Sequence, residues 1–326
     1  MKAAARLVIA LAILAAIAAP LVAPHAADAR FPDLLNAPPT RVHLRDNGAW
    51  RAPFIYPWRR LSQLEQKYEE DTSRAVPLAW FSGGKLVASS EEPGAPLLLL
   101  GADSFGRDVF TRIVYGARIS LGLSLAAALG ALLLGALVGA VAGYAGGLVD
   151  ELLMRATEFV LVLPAMYVAL ALRAVLPLVL SATAVFVLLA SIFAVVGAPF
   201  IARGVRAIVR SERRLDYAVA ALSLGASHAR VLFRHLAPAA RGFIVVEMTM
   251  LVPAFIVAEA TLSFVGLGFP DQVASWGTML HDAANIRTFA DFPWLLSPAV
   301  AMFVVILGLN LILQQLPKNA GYERPM

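Results

Sequence analysis

The chain contains no cysteine, which excludes disulfides, thiol catalysis and thiolate metal sites while leaving the redox compartment open. Charge is scarce as well. Only 15% of residues are Asp, Glu, Lys or Arg, against 60% hydrophobic, too apolar for a soluble globular chain, whose apolar share is roughly 45–50% even with glycine counted. A bilayer is the expected solvent. No GxxxxGK[ST] string occurs, so the chain does not cradle nucleotide phosphates in that way, and any uphill work draws on a partner's energy. His25 and His43 have no carboxylate or histidine at ligand spacing and are expected to face solvent. The net charge of +5 comes from basic residues lying between apolar runs, where they set membrane orientation rather than bind nucleic acid.

What is present is a series of apolar runs. Lys2 and Arg6 precede a run from Leu7 to Ala23, about 17 residues and just long enough to span at ~1.5 Å rise per residue. Ala27-Asp28-Ala29 also suits signal-peptide cleavage; residues 1–29 are expected to stay as a first helix. From Arg30 the composition shifts. Prolines recur (Pro32, Pro38, Pro39, Pro53, Pro57, Pro77, Pro93, Pro96), with Trp50, Tyr56, Trp58, Trp80 and Phe81 among mixed charges. Long helices are forbidden there. Residues 30–112 are therefore expected to form a compact, irregular extramembrane insert and lead-in. Leu78–Phe81 and Lys85–Val87, flanking Ser82-Gly83-Gly84, could pair as a hairpin.

Five further runs follow: Ile119–Ala142, Phe159–Leu176 with Pro164 inside, Leu178–Ala198, Ile244–Gly266 and Trp294–Leu316. Gly135, Gly139 and Gly143 repeat every fourth residue, which lets another helix approach closely. Residues 143–155, carrying Asp150, Glu151 and Arg155, are expected to turn. The loop at 201–241 holds Arg203, Arg206, Arg210, Arg213, Arg214, Arg230, Arg234 and Arg241 against Glu212 and Asp216, an inside signal. With six spans, both termini, including Lys318, Arg324 and the tail at 319–326, fall in the cytoplasm and the insert falls outside. Glu259, within an apolar span, is a candidate functional site or a group that fixes its helix near the outer interface. Glu247 is expected to reach the inner interface or Arg241. Asp103 and Asp108 around Arg107 suit either an ion-pair clasp or caps for the helix that follows.

The most informative stretch is Asp216–Pro238. Leu215, Val219 and Leu222 recur at helical spacing, Gly225 breaks the pattern, and Val231, Leu232 and Leu236 resume it before Pro238. Two short helices around a knuckle of Gly225, Ala226 and Ser227 result, small enough for another protein's backbone to approach. The string resembles the cytoplasmic "EAA" loop of bacterial ABC-importer permeases: Ala220, Ala221, Gly225, Leu236 and Pro238 match, while Val219 stands where the family usually has glutamate. The glutamate's ion pair cannot be carried over. A second resemblance, to the dipeptide, oligopeptide and nickel branch, rests on Gly101, Asp103, Gly106, Arg107, Asp108 and Val109, then Tyr115, Gly116, Ala117, Arg118, Ser120 and Leu121. The strings Glu259–Gly268 and Ser275–Leu280 extend it, so that it covers about two thirds of the chain.

What the resemblance implies is an all-α polytopic protein of the bacterial inner membrane, with six spans and a type I importer core over residues 113–318. It further implies a second, homologous permease, two cytoplasmic ATP-binding subunits that consume the ATP, and a periplasmic or lipid-anchored substrate-binding protein. The chain itself would bind no cofactor and catalyse nothing. On that reading the ATPase-coupling loop comprises Val219, Ala220, Ala221, Gly225, Ala226, Ser227, His228, His235 and Pro238. The solute would be a peptide or a related small solute, nickel included. Two other classes stand beside it: an ion-coupled secondary transporter, which would need more intramembrane carboxylates than Glu259, and a membrane-anchored receptor or assembly factor, whose function would lie in the insert.

Overall fold

The computed structural model describes residues 2–46, 49–92, 94–164, 167, 168, 171, 181–284 and 290–314. Packing divides the chain into two compact units, one built chiefly from residues 121–259 and the other from residues 6–120 and 260–306.

The apolar helix Lys2–Ile17, which belongs to the second unit from Arg6 onward, and the short helix Ala19–Val22 lead into the insert. The insert is neither irregular nor helical. Among the described residues six strands form, β1 Val42–Asp46, β2 Ala49–Ile55, β3 Trp58–Ser62, β4 Lys67–Glu70, β5 Val76–Trp80 and β6 Val87–Ser89. They make an antiparallel sheet in the order β1-β2-β5-β6 and a separate β3-β4 hairpin. The expectation of an all-α chain fails here because proline forbids helix interiors but tolerates extended backbone: Pro53 lies in β2, and Pro77 lies opposite Phe54 in β5. The hairpin expected around Ser82-Gly83-Gly84 is present, with Trp80 opposite Val87 and Phe81 N–H donating to the Leu86 carbonyl at 3.1 Å. Leu97 and Leu98, adjacent in extended chain, point opposite ways. Leu97 joins Ile55, Val76 and Ala95, and Leu98 joins Phe31, Leu34, Ala37 and Ala102.

Two histidines depart from expectation. His25 is buried, 3% exposed, and His43 is half-buried with Nε2 3.5 Å from Glu70. Their acidic neighbours are remote in sequence, which is why local spacing did not reveal them.

Among the described residues, four helices are long and apolar enough to cross a membrane: Val109–Ala145, Ala182–Glu212, His228–Phe264 and Pro293–Leu313; Ala3–Ile17 is shorter. Much of the expected span Phe159–Leu176, the start of Leu178–Ala198, the end of Trp294–Leu316 and the tail at 319–326 lie outside the described residues. The 37-residue helix Val109–Ala145 is about 55 Å long at helical rise, well beyond a hydrocarbon core of about 30 Å. The turn expected over 143–155 is confined to Gly146 and Gly147, both with positive φ. From Gly147 the chain is helical to Val162.

Glycines set the packing of the first unit. A Cβ at Gly135 would lie 2.5 Å from the Ala198 carbonyl oxygen, at Gly139 2.3 Å from that of Ala202, and at Gly143 2.6 Å from that of Arg206. Each step of four on one helix meets a step of four on the other, so backbone lies on backbone along the Ala182–Glu212 helix. Farther along that helix, Phe193 stacks on Phe255 at 5.4 Å.

Candidate functional site

Residues 213–241 form a segment that follows the Ala182–Glu212 helix and packs back on it through the turns at 231–240. Its first helix, Asp216–Ser223, places Asp216 in the first turn, where a carboxylate complements the helix dipole. Ala218 is buried, whereas Val219 is 54% and Leu224 88% exposed. The helix ends on Gly225 at φ +84°. Gly225 N–H donates to the Leu222 carbonyl at 2.9 Å and Ala226 N–H to that of Ala221 at 3.0 Å, a left-handed closure that glycine adopts without steric cost. Ser227 then caps the next helix by accepting from Arg230 N–H at 3.4 Å.

That second helix is not short, and Pro238 does not close it. It runs as His228–Arg230, a π-helical turn Val231–Leu236 and a 3₁₀ turn Ala237–Ala240, straight into Arg241–Phe264. Proline lacks an N–H and its ring would strike the carbonyl four residues back. The π turn widens the helix, with Ala237 N–H reaching the Leu232 carbonyl, and the 3₁₀ turn closes it again. Val231, Leu232, Leu236 and Ala240 are buried on the inner side of this stretch, while Phe233, Arg234 and His235 are exposed.

The residues expected to form the coupling loop are therefore brought together, with Gly225, Ala226 and Ser227 at the knuckle. Among the described residues, a Cβ at Gly225 would meet nothing within 4 Å. Ala220, Ser227 and His228 are exposed, Ala221, Ala226 and Pro238 half-buried.

Sequence reasoning missed what braces this segment. Tyr144, between Gly143 and Gly146, places its hydroxyl 2.5 Å from His228 Nδ1, and Arg213 donates to the Tyr144 carbonyl and lies over its ring at 5.3 Å. Asp150 accepts from Arg206 Nε and, at 2.6 Å, from Nη2, with Arg210 Nη1 at 3.6 Å. The hydrogen bonds from Arg206 hold the Asp150 carboxyl below its ordinary range. Arginines read only as an orientation signal thus also tie helices together. Their partners lie 56 or more residues away, and local periodicity carries no trace of them.

In the other unit the signature residues Asp103, Gly106, Arg107 and Asp108 form a closed turn. Asp103 N–H donates to the Arg107 carbonyl at 2.9 Å, and Ala102 bridges Asp108. Gly106, at φ +72°, leaves no room for a side chain, since a Cβ would lie 2.2 Å from the Phe31 carbonyl oxygen. The two aspartates divide the roles. Asp108 is the cap, accepting from Phe110 N–H, Thr111 N–H and the Thr111 hydroxyl. Asp103 is the clasp, accepting from Arg107 Nε at 2.6 Å, while Arg107 Nη1 reaches the Asp271 carbonyl at 2.9 Å and Nη2 reaches Asp282 at 2.7 Å. Arg112 lies behind, 3.6 Å from Asp103 and 3.9 Å from Asp282. Burial pushes the Asp282 carboxyl up, and the two arginines pull it back.

Glu259 is fully buried within the Arg241–Phe264 helix. Among the described residues no group of three or more histidines and carboxylates is placed to hold a metal ion.

Against known proteins, the profile of the family described as binding-protein-dependent transport system inner membrane component matches residues 131–318. An oligopeptide transport system permease protein of Bacillus subtilis is 36% identical over 227 residues, 69% of this chain and 72% of that protein. A dipeptide transport system permease protein of Alkalihalophilus pseudofirmus is 37% identical over 65% of this chain and 67% of its own. A glutathione transport system permease protein of Pectobacterium atrosepticum is 35% identical over 65% and 68%. An amino acid ABC transporter of known structure aligns with 63% of this chain and 92% of its own at 19% identity and a TM-score of 0.45, too distant to bear on function. With matches over these spans, the chain belongs to the family of binding-protein-dependent transport system inner membrane components.

Proposed function

We propose that this chain is one of two permease subunits of an ATP-driven importer in the bacterial inner membrane. Its solute is a peptide or a related small molecule delivered by a binding protein, as the peptide permeases among its relatives suggest. Six spans place both termini and residues 201–241 in the cytoplasm and residues 30–112 outside. Two ATPase subunits close on ATP and push the 216–238 segments of the paired permeases, which moves the helices around the solute path. The chain contributes no catalysis and holds no cofactor of its own.

The observation that carries this reading is the knuckle at Gly225: left-handed, at the end of a braced helix pair, with no atom of the described residues within reach of a side chain there. Gly225→Asp adds bulk and a charge whose burial in a protein interface costs several kcal/mol, roughly 2–5. Uptake measured in a transport-competent host is expected to fall at least about tenfold, with membrane abundance unchanged. Transport at the parent rate would sink the reading of this knuckle as the contact with the ATPase. Val219→Glu restores the usual family residue and is expected to be tolerated where the ATPase keeps a matching cation. Orientation is tested separately in this cysteine-free chain by Ser227→Cys, which should react with impermeant maleimide only from the cytoplasmic side.

A further inference from the structure

His25 follows the short helix Ala19–Val22 and is nearly inaccessible to solvent. Its N–H faces the Thr111 hydroxyl at 3.4 Å, its ring meets Phe31 edge-on at 4.9 Å, and both ring nitrogens point at acceptors. Nδ1 is 2.5 Å from Glu92 Oε1; Nε2 is 3.0 Å from the Leu97 carbonyl oxygen and 3.9 Å from Asp108 Oδ2. A carbonyl only accepts, so Nε2 carries a proton. A neutral ring would then present a bare lone pair on Nδ1 to a carboxylate that has only lone pairs of its own. The 2.5 Å contact therefore needs a second proton, on the ring or on Glu92. In either case the pair holds one proton more than a neutral imidazole beside a carboxylate.

We propose that His25 and Glu92 form a proton-dependent latch, which fastens the strand-bearing insert to the segment that enters it and to the first turn of the Val109–Ala145 helix. With the extra proton in place, one ring joins residue 25, the 92–97 stretch and the Asp108–Thr111 cap. When that proton leaves to bulk water, two sets of lone pairs face each other in a largely buried site, an uncompensated arrangement that drives the groups apart. In the proposed orientation the latch lies on the outside, where pH is not buffered by the cell.

The charged groups facing the ring are Glu92, Asp108 and, through Glu92, Lys85. Lys85 Nζ donates to the Pro24 carbonyl and lies 4.0 Å from Glu92 Oε2. Burial raises the Glu92 carboxyl, but the hydrogen bond and charge of His25, with Lys85 behind, hold it below its ordinary range. Burial pushes the Asp108 carboxyl up to about 6 against the pull of His25. The latch is therefore read on the alkaline side of Asp108, where that carboxylate no longer changes.

The absence of cysteine allows a direct test in the full chain, in membranes with its partner subunits. Ala95 is buried beside Leu97 in the insert core, and Thr72 is exposed. The labelling rate of Ala95→Cys is divided by that of Thr72→Cys, which cancels the pH dependence of the thiol. This ratio is expected to rise at least about tenfold between about pH 7.5 and about pH 9.5, a window above the Asp108 transition. In Glu92→Gln the amide N–H donates to the unprotonated Nδ1, so no extra proton is needed and the ratio stays low throughout. In His25→Gln the ratio no longer varies with pH. A flat ratio with His25 and Glu92 both present overturns the proposal. So does an unchanged alkaline rise in Glu92→Gln, or faster labelling of that variant at both pH values, as loss of a plain salt bridge would cause. Should Ala95→Cys lower membrane abundance, hydrogen exchange of residues 92–111, corrected for intrinsic rates, reads the same ordering without a reporter.

Discussion

Gly106 and Gly225 share a backbone conformation, φ +72° and +84°, for opposite reasons. Gly106 is pressed against its own chain: its carbonyl accepts from Phe31 N–H at 2.8 Å, and a side chain would overlap the Phe31 carbonyl. Gly225 faces open space. The charges around them follow the same division. Arg107 is buried and uses Nε, Nη1 and Nη2 within the protein, whereas Arg230, Arg234 and His235 near the knuckle are exposed. A left-handed glycine packed against its own chain's backbone serves folding. One held out among exposed cations and apolar side chains lies where the proposed ATPase contact would fall.

The strongest test of that contrast is Arg107→Met. Among the described residues it leaves the buried Asp103 and the half-buried Asp282 with Arg112, at 3.6 and 3.9 Å, as the remaining cation beside them, and removing one partner of a buried ion pair costs about 3–5 kcal/mol. Thermal unfolding in detergent should show a loss of that order; a loss below about 1 kcal/mol would mean that the clasp is not holding the turn. Gly106→Ala comes next. Left-handed strain of about 1 kcal/mol and overpacking of about 1–3 kcal/mol should together lower stability and membrane abundance. Gly225→Ala should cost only the strain, about 1 kcal/mol, and leave abundance close to the parent's. Equal losses in the two alanine variants would erase the distinction between the turns.

The smallest effect at neutral pH is expected for Asp108→Asn, because asparagine caps a helix about as well as aspartate. The difference is in pH dependence. Burial raises the Asp108 carboxyl from 3.8 to about 6, so its protonated form favours the folded state. That contribution is complete below 3.8 and is lost as pH rises through about 6, on the order of 3 kcal/mol at most. Unfolding midpoints at about pH 4 and about pH 7 should therefore differ less in Asp108→Asn than in the parent. An identical difference would show that Asp108 is not the titrating group.

Some features were legible because they depend on backbone geometry or local period. Apolar runs marked the long helices. The four-residue glycine spacing marked a close helix contact, and the structure places Ala198, Ala202 and Arg206 against those glycines. Gly225 was legible as the break between two helices, and the structure gives it the left-handed φ of +84° that commonly ends a helix at glycine. Serine and glycines at 82–84 marked the hairpin for a similar reason.

Tertiary structure alone decided the rest, through contacts between residues far apart in the chain. Burial of His25 depends on Glu92, Leu97 and Asp108, and the role of Arg206 depends on Asp150, 56 residues before it. Asp103 and Asp108 look alike in sequence; the arrival of Asp271 and Asp282 beside Arg107 makes one a clasp, while the first turn of the following helix makes the other a cap. Prolines told where helices could not form, yet pairing of β2 with β5 was needed to turn the insert into a sheet. Pro238 was accommodated because a π turn ahead of it removed the clash that ordinarily ends a helix. Local composition limits what a segment can adopt, and the packing of distant segments selects among what remains.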